Sequence, residues 1–181
     1  MPVRFHLRCL LVVLSGAFLA GCAAEPKPAG QQPVATAPAG GSGEESWAYK
    51  PGEMPKLPPG AGPIDEDAPK ELTKTASGLR YRILRKSNGK VPDTTDKFVA
   101  HYHGWVDSGK VFDSSYKRGE PLELPVTSVI PGWIEGLQLI GEGGMIELEI
   151  PGDLGYGPTG SPPDIGPNAT LHFIMELKQV K

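Results

Sequence analysis

The stretch "HYHGWVDSGKVFDSSY", from His101 to Tyr116, holds two histidines two apart, two aspartates, two tyrosines, a tryptophan and a phenylalanine. Three readings compete for it: a metal site, an acid–base pair, and the wall of an apolar pocket. Its first half continues "KFVAHYHGWV" (Lys97–Val106), a run rich in aromatic and β-branched residues that reads as a strand. On a strand, His101 and His103 point to one face and Tyr102 to the other. A catalytic zinc usually takes three protein ligands, and the sequence has neither H-E-x-x-H nor a cysteine cluster, so no metal is expected. A glycosidase-like carboxylate pair stays open by sequence, but Asp107 and Asp113 flank a Ser108-Gly109 turn and need not converge. Nucleophile elbows of the G-x-S-x-G type and phosphate-binding glycine loops are also missing. What remains is aromatic lining. Tyr102, Phe112, Trp133, Tyr156 and Phe173 could converge, with Val129 and Ile130 as an apolar rim. By composition alone, the core of a small domain is the simpler reading of these residues.

The surrounding sequence builds a sheet. "LRYRILRK" (Leu79–Lys86) alternates Leu79, Tyr81 and Ile83 against mostly basic residues. "MIELEI" (Met145–Ile150) sets Ile146, Leu148 and Ile150 against Glu147 and Glu149. "ATLHFIMELKQV" (Ala169–Val180) alternates Leu171, Phe173, Met175 and Leu177. Period-two patterns of this kind predict half-buried antiparallel strands. Asn88-Gly89 and Ser108-Gly109 are turn signals. In "PGWIEGLQLIG" (Pro131–Gly141), Trp133, Leu137 and Ile140 are spaced for one face of a helix. Pro131 suits its first turn and Gly141 a C-terminal cap. Four to six strands with one short helix make an α+β domain whose helix covers the apolar face of the sheet.

This domain is expected over residues 71–181, where nine of the 13 aromatic residues fall. The rest of the chain reads differently. Arg4, His6 and Arg8 precede an apolar run that is too short to span a bilayer, which takes about 20 residues. A basic start and a short apolar core predict a signal peptide over residues 1–21. The run ends in Leu19-Ala20-Gly21-Cys22, which looks like a bacterial lipobox and implies lipid on Cys22. Cys9 would leave with the signal peptide, so no disulfide is expected in the mature chain. Ala23, rather than aspartate, resembles lipoproteins sorted to the outer membrane, facing the periplasm. Residues 22–70 carry half of the 20 prolines and few large apolar side chains, and are expected to form a flexible tether. Such a coil spans roughly 40 Å, or about 150 Å if polyproline-like. Trp47 and Tyr49, its only aromatics, are expected to be spectators. The formal charge of −3 gives no reason to expect nucleic acid.

The order of the motifs goes further than any one of them. "TASGLRYRIL", "HYHGWVDSGKVFDSSY", "GEPLELPVTSVIPGWIEGL", "IPGDLGYG" and "NATLHFIMEL" follow one another over roughly Lys74 to Val180. In this order the domain resembles the FKBP-type peptidyl-prolyl cis-trans isomerases, in particular the bacterial exported branch. The resemblance implies an antiparallel half-barrel sheet wrapped around one short helix, with a proline-binding pocket between them. It implies a pocket of Tyr102, Phe112, Asp113, Val129, Ile130, Trp133, Tyr156, Ile165 and Phe173. Trp133 would be the floor under the proline ring, Tyr102, Phe112 and Phe173 the walls, and Val129 and Ile130 would flank the bound chain. Tyr156 and the Ile130 N–H would donate to substrate carbonyls, Asp113 would lie beside the twisting amide, and Ile165 on a loop over residues 157–168. For Asp113, electrostatic action on the amide and a scaffolding bond to a tyrosine or arginine both stay open.

The same resemblance implies proline-containing polypeptides as substrates, macrolides such as rapamycin as inhibitors, and no cofactor. Residues 23–70 are proline-rich where Mip-like relatives carry a helical dimerisation arm, so a monomer is expected. Leu122 and Leu124 stand where the family often has phenylalanine, and Pro162, Pro163 and Asp164 where it is often more apolar. A holdase using the same groove, or a surface lipoprotein using the fold as a platform, are the competing functions. Tyr156 and Asp113 favour the enzyme, because a platform needs neither.

Overall fold

The computed structural model describes residues 46–48, 50 and 52–181. The expected signal peptide, Cys22, Tyr49 and most of the tether lie outside the described residues. Seven antiparallel strands form one sheet: β1 (Thr73–Lys74), β2 (Arg80–Arg85), β3 (Lys97–Val106), β4 (Val111–Ser114), β5 (Leu122–Pro125), β6 (Met145–Ile150) and β7 (Leu171–Val180). Their order is β1–β2–β6–β7–β3–β4, and β5 also pairs with β3. The long strand β3 is therefore central. Its first four residues pair with β5 and its last part with β4, while β7 lies along its other edge.

The expected α+β architecture is present. Inward-facing Ile146, Leu148, Ile150, Leu171, Phe173, Met175 and Leu177 are buried in one core cluster, as their alternation requires. Against them lies a helix, α2 (Pro131–Leu137). It approaches the sheet closely because it turns Gly132 and Gly136 toward it. A Cβ at those positions would come within 2.5 Å of Ile150 Cγ2 and 2.7 Å of Leu148 Cδ1. The helix is shorter than its apolar stripe. It ends at a Gln138 cap, and Ile140 is buried beyond it from an irregular segment. A second helix, α1 (Ser115–Arg118), follows β4 directly, capped by the Ser114 side chain and closed by Gly119 at φ 76°. Four residues are too few for a periodic signal, and the sequence reading did not find it.

The outer face of the sheet departs from expectation. The strap from Ser46 to Lys70, read from sequence as tether, packs along that face. Trp47 is buried with Leu84, Trp105, Met145 and Ile174, and Met54, Leu57, Ala61 and Ile64 pack around this second cluster. Pro55 and Pro58 are buried too. Arg82 on β2 holds the strap at two points, donating to the carbonyls of Glu53 at 2.6 Å and Lys70 at 2.5 Å. Its Nε donates to Glu147, and this pair is buried between sheet and strap rather than solvated. Trp47 is thus not a spectator. Proline-rich composition argues against a self-sufficient core, but it does not prevent a segment from borrowing one. An aromatic ring buries roughly 150–250 Å² and supplies much of what offsets the ordering entropy.

Candidate active site

Strand β3, helix α2 and strand β7 bring three aromatic rings together. The Trp133 ring is fully buried; its centroid lies 5.0 Å from Tyr102 and 5.1 Å from Phe173, both edge-on. Phe112, from β4, meets Phe173 edge-on at 5.4 Å. Edge-to-face pairs at such distances match positive ring edges to negative faces and fix ring angles. Trp133 Nε1 is buried and has no hydrogen-bond partner among the described residues.

Val129 and Ile130 lie immediately before α2, both buried. Ile130 is the helix N-cap, and its carbonyl accepts from the backbone N–H of Trp133 at 2.9 Å. Ile165 is buried at the end of a tight loop, where two backbone hydrogen bonds of 2.8 and 3.0 Å join it to Ser161. Lys110 reaches across from the β3–β4 turn to Asp164 at 3.0 Å. Tyr156 is half-buried against the same core cluster. Burial, and then the charge of Asp113, raise its hydroxyl above the ordinary tyrosine range, so it remains a donor at neutral pH.

Asp113 sits in a polar triangle. It accepts from the Tyr102 hydroxyl and from Arg118 Nη1, and Arg118 Nη2 donates to the Tyr102 oxygen at 2.9 Å. The Arg118 guanidinium also lies 5.5 Å from the centre of the Tyr102 ring. Burial, with the Asp113 bond, pushes the Tyr102 hydroxyl well above its usual range, so it too stays protonated. Eight of the nine residues read from the sequence lie in or pack against the main core cluster, and Asp113 is tied to it through its bond to Tyr102. Arg118 was missed. An arginine in a charged surface run, "KRGE", carries no signal of its own; only the turn of α1 brings it back to Asp113.

The two histidines of the opening stretch are placed outside the pocket. His101 stacks on Tyr116 at 4.7 Å, and its Nδ1 lies 3.0 Å from Ser115 Oγ. His103 lies in the second cluster, 4.0 Å from the Trp47 ring. Leu122 and Leu124 are half-buried on β5 and pack against the main core.

The site thus joins buried aromatic rings to a hydrogen-bonded acid, Asp113, and a half-buried tyrosine, Tyr156. The sequence profile of the FKBP-type peptidyl-prolyl cis-trans isomerases matches residues 89–178. Among solved structures, AtFKBP13 is 34% identical, with 99% of its chain and 61% of this one covered at a TM-score of 0.56. The chain belongs to the FKBP-type peptidyl-prolyl cis-trans isomerase family. A crystal structure of a peptidyl-prolyl cis-trans isomerase from Pseudomonas syringae is similar at 33% identity and TM-score 0.57, covering 61% of this chain and 80% of that one. The FKBP-type 22 kDa isomerase of Escherichia coli is 46% identical over 118 residues, 65% of this chain and 57% of that protein. The chain spans about half the length of curated relatives that it matches.

Proposed function

We propose that this protein is a peptidyl-prolyl cis-trans isomerase acting on proline-containing segments of exported polypeptides. The observation that carries the reading is the aromatic box of Tyr102, Trp133 and Phe173 beside the Asp113–Tyr102–Arg118 triangle. Isomerisation of an X-Pro bond takes tens to hundreds of seconds uncatalysed, against an amide barrier of about 18–20 kcal/mol. The barrier is the resonance lost as the C–N bond twists. A planar amide is more polar than a twisted one, so a water-poor aromatic cleft favours the twisted form relative to the ground state. Trp133 seats the proline ring, and Phe112, Tyr102 and Phe173 enclose it. Tyr156 and the Ile130 N–H hold substrate carbonyls. Asp113, fixed by Arg118, sets the angle of Tyr102 and places negative charge beside the turning amide. Lowering the barrier by about 7 kcal/mol accelerates the step roughly 10⁵-fold. No bond breaks and no cofactor takes part, and rapamycin-like macrolides compete for the same cleft.

The lipobox-like Leu19–Cys22 supports a further part of this reading: a monomeric lipoprotein of the bacterial envelope, anchored through Cys22 in the outer membrane and facing the periplasm. Incorporation of labelled palmitate tests the anchor. Labelling abolished by Cys22→Ser supports it, and unlabelled wild-type protein refutes it. A tetrapeptide assay of the purified protein tests the activity.

A further inference from the structure

Trp47 lies on the outer face of the sheet, behind the pocket. Its ring centroid is 4.0 Å from that of His103 and 6.0 Å from that of Trp105. Those two residues flank Gly104 on β3. On the inner face, two pocket rings pack against the backbone at Gly104. A Cβ there would lie 2.6 Å from Phe173 Cε1 and 2.7 Å from Phe112 Cζ. At this place only a strand's thickness separates the strap's tryptophan from the aromatic wall, and no side chain at residue 104 locks the strand from within. Trp47 also grips the turn of the same hairpin. Its N–H donates to the Gly109 carbonyl at 3.1 Å, and a Cβ on Gly109 would lie 2.3 Å from Ser46 Oγ and 2.9 Å from Trp47 N. The hairpin's two strands carry Tyr102, Phe112 and Asp113.

We propose that Trp47 is a positioning residue for the isomerase pocket: docked behind Gly104 and on the Ser108-Gly109 turn, it fixes the β3–β4 hairpin in the geometry that fits the twisted amide. The inference rests on the isomerase reading. The floor of the pocket comes from Trp133 on α2, which Trp47 does not touch, whereas the walls come from the hairpin. Ground-state seating of proline therefore depends little on the strap, and enclosure of the twisted amide depends on it strongly. Displacements of about 1 Å in a catalytic constellation can cost on the order of 10²-fold in rate, so a partial loosening of the wall is readable.

The test is peptide isomerisation by the full chain and its Trp47→Ala, Trp47→Leu and Trp47→Phe variants, well below their melting temperatures. NMR exchange separates kcat from the affinity for an Ala-Leu-Pro-Phe peptide. Trp47→Ala is expected to lower kcat about tenfold with affinity changed less than twofold, and Trp47→Phe to restore most of it. If the alanine variant does not fold, the leucine variant carries the test, with kcat expected to fall several-fold. A folded variant with kcat within twofold of wild type would overturn the proposal, as would a loss confined to affinity. An inactive wild type would defeat the isomerase reading instead. The ring-proton shifts of Phe112 and Phe173 then decide: shifts that move in Trp47→Ala support the coupling, and unmoved shifts overturn it.

Discussion

Arg118 binds Asp113 and the Tyr102 hydroxyl with the two ends of one guanidinium, so three side chains from β3, β4 and α1 hold one another in a single geometry. The triangle supplies the scaffolding bond read for Asp113, from a tyrosine and an arginine at once.

Arg118→Met should therefore disturb catalysis although arginine itself lines no substrate path. Charge-assisted bonds are worth about 1.5–3 kcal/mol, so kcat/KM is expected to fall about tenfold. Tyr102→Phe leaves the Asp113–Arg118 pair intact and should cost only about two- to threefold. Tetrapeptide kinetics on both single variants and the double variant check this. Additive losses would contradict the triangle, since groups in one network are coupled.

Trp133→Phe tests the floor. The indole N–H has no partner among the described residues, so the substitution forfeits no hydrogen bond and removes only volume. Stability is expected to drop by about 1–2 kcal/mol in urea unfolding, whereas kcat/KM falls about tenfold or more. Equal, small effects on both would mean that the ring is core and not pocket.

Much of this was legible in the sequence. Period-two patterning marked β2, β6 and β7, and richness in aromatic and β-branched residues marked β3. The stripe Trp133–Leu137–Ile140 marked the helix, although the chain leaves helical geometry before Ile140. The two-residue β1 and the four-residue β4, β5 and α1 are too short to express a period. The strap was hidden for another reason. Its burial is supplied by residues far away in sequence, Leu84, Trp105 and Met145 among them, and composition reports only what a segment can bury by itself. Arg118 was hidden likewise, by a bond made only once α1 turns the chain back.

His103 gives the fold a pH dependence. Burial, and then the nearby Lys117, pull its imidazole down to about 4, with Asp113 acting the other way. Neither ring nitrogen has a partner among the described residues, and the Trp47 ring lies against it. Free histidine titrates near 6.5, so between about 6.5 and 4 the unfolded state binds more protons than the folded one. This contribution to stability is thus at full strength above pH 6.5, weakens as pH falls, and loses nothing further from this group below 4. The loss is on the order of 3 kcal/mol over that window. Wild-type stability should fall accordingly from pH 7 to 4 relative to His103→Phe, as followed by urea unfolding. Parallel curves would contradict it.

Lys110 and Asp164 join the hairpin turn to the loop that carries Ile165, but both are substantially exposed. Exposed pairs are worth about 0.2–1 kcal/mol and are screened by salt. Lys110→Ala is expected to raise KM about two- to threefold at low ionic strength with kcat unchanged. The difference should disappear at high salt, where the Debye length is about 3 Å. A salt-independent effect would assign Lys110 a different role.

The central claim is that this cleft turns X-Pro bonds. The most direct measurement is NMR exchange between the cis and trans forms of Ala-X-Pro peptides with catalytic amounts of the full chain, with and without rapamycin. The account predicts rapid exchange that the macrolide abolishes and that falls in the Arg118→Met and Trp133→Phe variants. Exchange no faster than in buffer, from a folded protein whose Trp47 is docked, would contradict it.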